Sequence, residues 1–276
     1  MTTRALVLGG GGVAGIAWET GILAGLAESG VDVLDADLLI GTSAGSMVAA
    51  QVASGGRLEQ LLARQIEPAQ QTTELTPTQD IPAMMTRFVE VLSAAGDPAD
   101  LRRRMGELAL STETVPEEAR REVMLARLPV HEWPQRAVRI TAVDTATGDL
   151  VVFDRESGVS LVDAVGASCA VPGVWPPVTI NGARYMDGGM RSTENADLAA
   201  GYDKVLVLQV LRMPEGSPWA GVLADQVAQL REAGSAVHVL TADDASTAAF
   251  STNPLDPAVR TPSGLAGLAQ GRTAVE

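Results

Sequence analysis

The pentapeptide Gly41-Thr42-Ser43-Ala44-Gly45 separates two apolar runs, Asp37 to Ile40 and Met47 to Val52, and leaves the backbone little choice between them. The first run reads as a buried strand and the second as a helix, so the chain must change from one to the other in a single sharp bend. A serine at the centre of such a bend has its hydroxyl lifted clear of the backbone, and only small neighbours avoid clashes there. The same construction occurs earlier. Ala5 to Leu8 is a short apolar run, Gly9-Gly10-Gly11-Gly12 follows, and Ile16, Leu23 and Leu26 then lie on one helical side until Gly30. Two strand–loop–helix units in succession predict an α/β fold with a parallel sheet covered on both faces.

From about Arg57 to Leu128 the pattern is helical only. Asp97-Pro98 reads as an N-cap with proline in the first turn, and Pro116-Glu117-Glu118 opens another helix in the same manner. Strands resume at Ala137 to Asp144 and Leu150 to Phe153. A hairpin spans Val178 to Met186, with Asn181-Gly182 as its turn. Lys204 to Leu211 is a buried strand, Trp219 to Ala233 a helix and Ala236 to Leu240 a last strand. The simplest organisation is one α/β domain over residues 1–276 with a helical insertion at about 57–128.

Charge and composition narrow the function. The formal net charge of −14 repels nucleic-acid phosphates and disfavours permanent docking on anionic lipid. Arg102-Arg103-Arg104 is the local exception and reads as a solvated helix face. The single cysteine, Cys169, excludes an internal disulfide and supplies no zinc framework. The apolar stretch after Arg4 carries four consecutive glycines, a poor signal-peptide core, and a cytoplasmic location is expected.

Ser43 is the candidate nucleophile, with Gly41 and Gly45 forming its elbow. An acyl transfer also needs N–H donors where the oxyanion develops, and Gly10, Gly11 and Gly12 can supply them because no side chain blocks the approach of a carbonyl. A competing reading treats Gly10-x-Gly12-x-x-Gly15 as a dinucleotide loop. That motif wants an acid at the end of the second strand, whereas Asp37 stands at its start. The base is open on residues alone. Chain order allows a triad through His238, but His238 lies inside a strand pattern, and His131 sits outside any regular pattern. Asp187-Gly188-Gly189 offers a carboxylate followed by two residues that permit close approach.

Gly10-Gly11-Gly12 with Gly15, then Gly41-Thr42-Ser43-Ala44-Gly45, then Ala167-Ser168-Cys169-Ala170-Val171-Pro172, then Asp187-Gly188-Gly189 resembles the patatin-like phospholipase family in order and spacing. The resemblance covers about Leu6 to Leu208. It implies a three-layer α/β/α sandwich with a mainly parallel sheet, and a Ser43–Asp187 dyad without histidine. It also implies oxyanion donors in Gly10 to Gly12 and a wall near the dyad built by Ala167 to Pro172, within which Ser168 is structural. One position departs: Ala14 stands where the family usually has Arg or Lys, which leaves a neutral ester or lysolipid open as substrate.

On this reading Asp187 deprotonates Ser43, an acyl-enzyme forms, and water releases the fatty acid. No metal or cofactor is required, and calcium independence is expected because no acidic cluster has ligand-loop spacing. The partner is a lipid or small ester, reached in solution or by transient contact with a membrane surface; oligomeric state is not specified. Met84, Met85, Met105 and Met124 in the insertion suggest a pliable cover for an acyl chain. The acid limb of the rate is expected to lie below the pKa of histidine.

Overall fold

The computed structural model describes residues 2–78 and 81–274, apart from the side chains of residues 81–83 and 85. In chain order, β1 (Arg4–Leu8), α1 (Gly12–Glu28), β2 (Leu38–Thr42) and α2 (Ala44–Ala53) build the first two units. The helical stretch is α3 (Leu58–Ile66), α4 (Ile81–Ala94), α5 (Pro98–Ser111) and α6 (Glu117–Arg127). Then come β3 (Ala137–Asp144), β4 (Leu150–Phe153), α7 (Leu161–Ser168), β5 (Val178–Ile180) and β6 (Ala183–Asp187). The chain continues through β7 (Lys204–Gln209), α8 (Val222–Glu232), β8 (Ala236–Thr241), α9 (Asp244–Phe250) and α10 (Arg260–Thr273).

Five strands form a parallel core in the order β3-β2-β1-β7-β8, and β4, β5 and β6 join antiparallel. Alternation along each strand feeds two cores. Leu6 and Leu8 of β1 face α1, α2 and α7, whereas Ala5 and Val7 face α8 and the turn at Ala196–Ala199. Side chains of successive strand residues point to opposite faces, so a strand apolar throughout must be covered on both. The result is a three-layer α/β/α sandwich. A third, smaller cluster joins Leu101, Met105 and Leu108 of α5 to Val143 and Met186, which fastens the insertion to the antiparallel edge of the sheet.

The sequence reading did not anticipate α7, α9 or α10. The last packs on α1 with almost no separation. A Cβ on Gly21 would stand 2.4 Å from the Gly264 carbonyl oxygen, and one on Gly267 would stand 2.3 Å from that of Trp18. Helices touching backbone to backbone need small residues rather than an apolar stripe, which is why α10 carries so weak an amphipathic pattern.

The register at β3 decides the function. Thr42, the last residue of β2, pairs with Thr141, and Asp187, the last residue of β6, pairs with Ala142. β4 pairs with β3 from Ile140 to Val143 and fills the other edge. A strand has only two edges, so β2 and β6 approach head to head along the same one. Their carboxyl ends meet there, and the two loops that leave them must share one spot.

Candidate active site

Ser43 occupies that spot with φ 53° and ψ −117°, a left-handed conformation that ordinary residues avoid. Close packing enforces it. A Cβ on Gly45 would lie 2.1 Å from the Leu8 carbonyl oxygen, and one on Gly41 would lie 2.5 Å from Ser46 Cα. The Gly45 N–H donates to the Gly9 carbonyl at 3.0 Å, which ties the elbow to the glycine loop. The Ser43 N–H donates to the Ser168 hydroxyl at 2.8 Å, the structural role expected for Ser168.

Asp187 reaches the elbow from the opposite direction and is 3% exposed. Its Oδ1 accepts the Gly189 N–H at 2.7 Å, while Oδ2 is buried with no hydrogen-bond partner. A side chain at Gly188 would strike Thr141, so the glycine is what lets Asp187 turn in at this point. Burial pushes the Asp187 carboxyl up from 3.8 to about 7, with the Ser43 hydroxyl and the Gly189 amide offsetting part of the shift. Ser43 and Asp187 are thus close enough to feel each other without a well-aligned hydrogen bond, a usual condition of unliganded catalytic pairs. Burial thus moves the expected acid limb of the rate upward, toward neutrality.

The glycine loop lies against the nucleophile, since a Cβ on Gly10 would be 3.5 Å from Ser43 Cβ. Its three candidate donors are not equivalent. The Gly10 N–H is already committed to the Thr193 carbonyl at 2.8 Å, which removes Gly10 from the oxyanion set. Gly11 has no hydrogen-bond partner for its N–H among the described residues. Gly12 and Ala44 open α1 and α2, where first-turn N–H groups lack partners within the helix. Ala44 was overlooked in the sequence, although the amide after a nucleophilic serine is a common donor.

Asn195 was missed as well. Its side-chain amide donates to Thr42 Oγ1 at 3.0 Å, to the Ser192 carbonyl at 2.7 Å and to the Gly188 carbonyl at 3.3 Å. It thereby clamps the end of β2 to the turn after Asp187. Left-handed backbone at φ 51° is the one signal that could have marked it, and asparagine adopts that conformation without announcing a role.

Neither histidine belongs to the site. His238 is level with Leu39 through Leu6 and Leu206. It therefore lies roughly 13 Å short of Ser43 along the strands and about 14 Å away across them. It lines instead a cavity of about 720 Å³ with Arg4, Asp32, Lys204 and Arg231. The His131 ring contacts the Leu125 carbonyl at 3.0 Å and is exposed. Asp37 accepts the Arg4 N–H at 2.8 Å at the amino end of the sheet, remote from any ribose the glycine loop could present. Cys169 sits beneath Ser43, its thiol donating to the Ser43 carbonyl at 3.2 Å, and burial followed by the Asp187 charge raises it to about 11, so it is no nucleophile.

The cavity at Ser43 is small, about 30 Å³. Gly12, Ala44, Cys169, Val171, Trp175 and Leu255 line it together with Glu74, Arg120 and Arg127 from the helical stretch. Met105 and Met124 are core residues, 0% and 1% exposed, and do not face an acyl chain. Met84 lies against Gly173, and the Met85 side chain is outside the described residues. No group of three His, Cys, Asp or Glu side chains that could hold a metal occurs among the described residues. No helix among them is long and apolar enough to cross a membrane.

Residues 6–200 match the family model described as patatin-like phospholipase. No curated protein sequence matches the chain. Among solved structures it is similar to VipD from Legionella pneumophila, at 13% identity and a TM-score of 0.49, covering 99% of this chain and 66% of that one. It is also similar to the type III effector protein ExoU, at 16% identity and a TM-score of 0.40, covering 99% of this chain and 53% of that one. The chain thus spans less than two thirds of either protein.

Proposed function

The chain belongs to the patatin-like phospholipase family, and from that membership and the surroundings of Ser43 we propose that it is a serine acyl-ester hydrolase acting on lipid esters. The observation that carries the proposal is the head-on meeting of β2 and β6 on β3, which brings a strained serine and a buried carboxylate to one point. Asp187 accepts the Ser43 proton as the hydroxyl attacks the ester carbonyl. The N–H groups of Gly11, Gly12 and Ala44 receive the oxyanion, and the alcohol leaves after taking the proton from Asp187. Water, activated by the same carboxylate, then cleaves the acyl-enzyme and frees the fatty acid.

The described chain acts as a single catalytic unit in this reading, in the cytoplasm, without metal or cofactor. Hydrolysis of p-nitrophenyl esters tests it. Wild-type protein should turn over with a burst of p-nitrophenol, and Ser43→Ala should abolish the reaction while unfolding at an unchanged temperature. Full activity in the alanine variant would remove Ser43, and the proposal with it.

A further inference from the structure

Helix α6 buries four residues on one face: Arg120, Val123, Met124 and Arg127. The apolar pair is ordinary packing, but an arginine at each end of a buried stripe is not. Both guanidinium groups converge on Glu74, which bonds to Arg120 at 2.6 Å and to Arg127. The Glu74 side chain is 3% exposed, Arg120 and Arg127 are each 7% exposed, and all three line the cavity that contains Ser43. Arg120 also stacks on Trp175 at 3.8 Å, which fixes its plane. A third buried guanidinium, Arg260, lies behind Arg127; it bonds to the Thr72 carbonyl at 3.0 Å and is 4% exposed. Burial, and after it the Arg127 charge, disfavours the charged form of Arg260.

Two buried cations therefore bond to one buried carboxylate, with a third cation behind them. Structural ion pairs that are buried balance their charges, because each unpaired ion costs several kcal/mol. Here the excess is positive, and it borders the nucleophile. Paired guanidinium forks fit a group with several anionic oxygens, whether carboxylate or phosphate. Ala14 brings no charge beside the glycine triplet, so positive charge near Ser43 comes from α6. Finally, about 30 Å³ at Ser43 holds one water and no substrate group. Glu74 fills the space that a substrate's polar end would need. It rides on the connection between α3 and α4, which at Gln71 to Thr78 has no helix or strand of its own.

We propose that Arg120 and Arg127 form the seat for a phosphate group of the substrate, and that Glu74 occupies that seat in the resting protein as an internal substitute. The proposal rests on the hydrolase reading of Ser43. A neutral ester displaces Glu74 only by leaving the buried cations uncompensated, so it is the poorer substrate. A phosphate-bearing lipid compensates them, and in doing so it opens the cavity to its own ester.

The test compares 1-acyl-glycerol-3-phosphate with the 1-acyl-glycerol of the same chain length, on wild type, Glu74→Gln, Arg120→Gln and Arg127→Gln. Glu74→Gln should lower KM for the phosphate-bearing lipid roughly 10–100-fold, the worth of one or two charge-assisted hydrogen bonds. KM for the neutral lipid should change little. The arginine variants should raise KM for the phosphate-bearing lipid by a similar factor and spare the neutral one; if one does not fold, the Glu74→Gln comparison decides alone. Equal shifts on both substrates, or none, would overturn the proposal. Inorganic phosphate separates a headgroup seat from a site for free phosphate. Competition with the phosphate-bearing lipid in Glu74→Gln supports the former, whereas inhibition without any change in the KM ratio overturns it. If no ester is hydrolysed at all, the hydrolase reading fails. The seat is then read from thermal unfolding, as a phosphate-induced rise in Glu74→Gln that the added Arg127→Gln removes; its absence overturns the seat as well.

Discussion

Two buried carboxylates, Asp187 beside Ser43 and Glu74 in the lining of the cavity there, are shifted in opposite senses. Asp187, at the end of a sheet strand, has no guanidinium against it, and burial raises it to about 7. Glu74, carried by the helical stretch, is raised by burial too, but Arg127 and Arg120 more than offset that and leave it below the ordinary range. The sheet side repeats its pattern: burial lifts Glu194 to about 7, and Glu19 well above normal with the Glu194 charge adding. The difference teaches how labour is divided. The sheet supplies backbone strain and a carboxylate made basic by dryness, which is chemistry. The inserted helices supply fixed charge, which on the proposed reading is recognition.

The harshest way to break the comparison is to attack the backbone of the sheet side. Gly45→Ala places a methyl group 2.1 Å from the Leu8 carbonyl oxygen, with no flexible atom to yield. Loss of at least about 4 kcal/mol is expected, in the range reserved for severe lesions. Little soluble protein should be recovered. A variant that denatures in urea like wild type would show that the elbow is not rigidly packed.

The pH dependence separates the two sides next. Asp187 must be ionised to accept a proton, so hydrolysis should decline as pH falls through about 7. Stability runs the other way for this group. Its folded pKa exceeds the ordinary carboxyl value of 3.8, so the folded state holds a proton that the unfolded chain releases, and its contribution is lost as pH rises from about 4 to 7. The shift corresponds to at most about 4 kcal/mol. Asp187→Asn should therefore raise the unfolding temperature at pH values above 7 and change it little near pH 4. Glu74 has the opposite sign: its depressed pKa stabilises the fold above its normal range, and that contribution vanishes as acid protonates it. Melting curves of Asp187→Asn and Glu74→Gln across pH should slope in opposite directions, and parallel slopes would refute the division.

Much of this was legible in the residues. The elbow, the glycine loop and Asp187-Gly188-Gly189 are visible because backbone that must approach backbone tolerates only glycine. The parallel sheet follows from apolar strands feeding those loops. Three things were not legible. α10 is held by glycine contacts that lack an apolar period. Gly10 loses its donor to Thr193, a residue distant in sequence that only the folded chain brings alongside. Arg120 and Arg127 look like ordinary helix-surface charges until Glu74, from another segment, meets them. Each depends on a partner far along the chain, and local pattern carries no information about it.

Asn195 gives the mildest probe on the sheet side. Asn195→Ala removes the amide that spans Thr42 and Gly188, and deprives the Ser192 carbonyl of its donor. A loss of about 1–3 kcal/mol is expected in stability. The rate should fall through kcat with KM nearly constant, because the residue positions the dyad and touches no substrate. A change confined to KM would move Asn195 into the recognition half.

The central claim is the pairing of Ser43 with Asp187, and labelling by a fluorophosphonate followed by intact-protein mass spectrometry tests it most directly. Wild type should gain one adduct, mapped to Ser43, and Ser43→Ala should gain none. Asp187→Asn should label about 10²–10⁴-fold more slowly, the usual worth of a positioned base, whereas His238→Gln should label at the wild-type rate. Unimpaired labelling of Asp187→Asn together with a silent, folded His238→Gln would contradict the dyad.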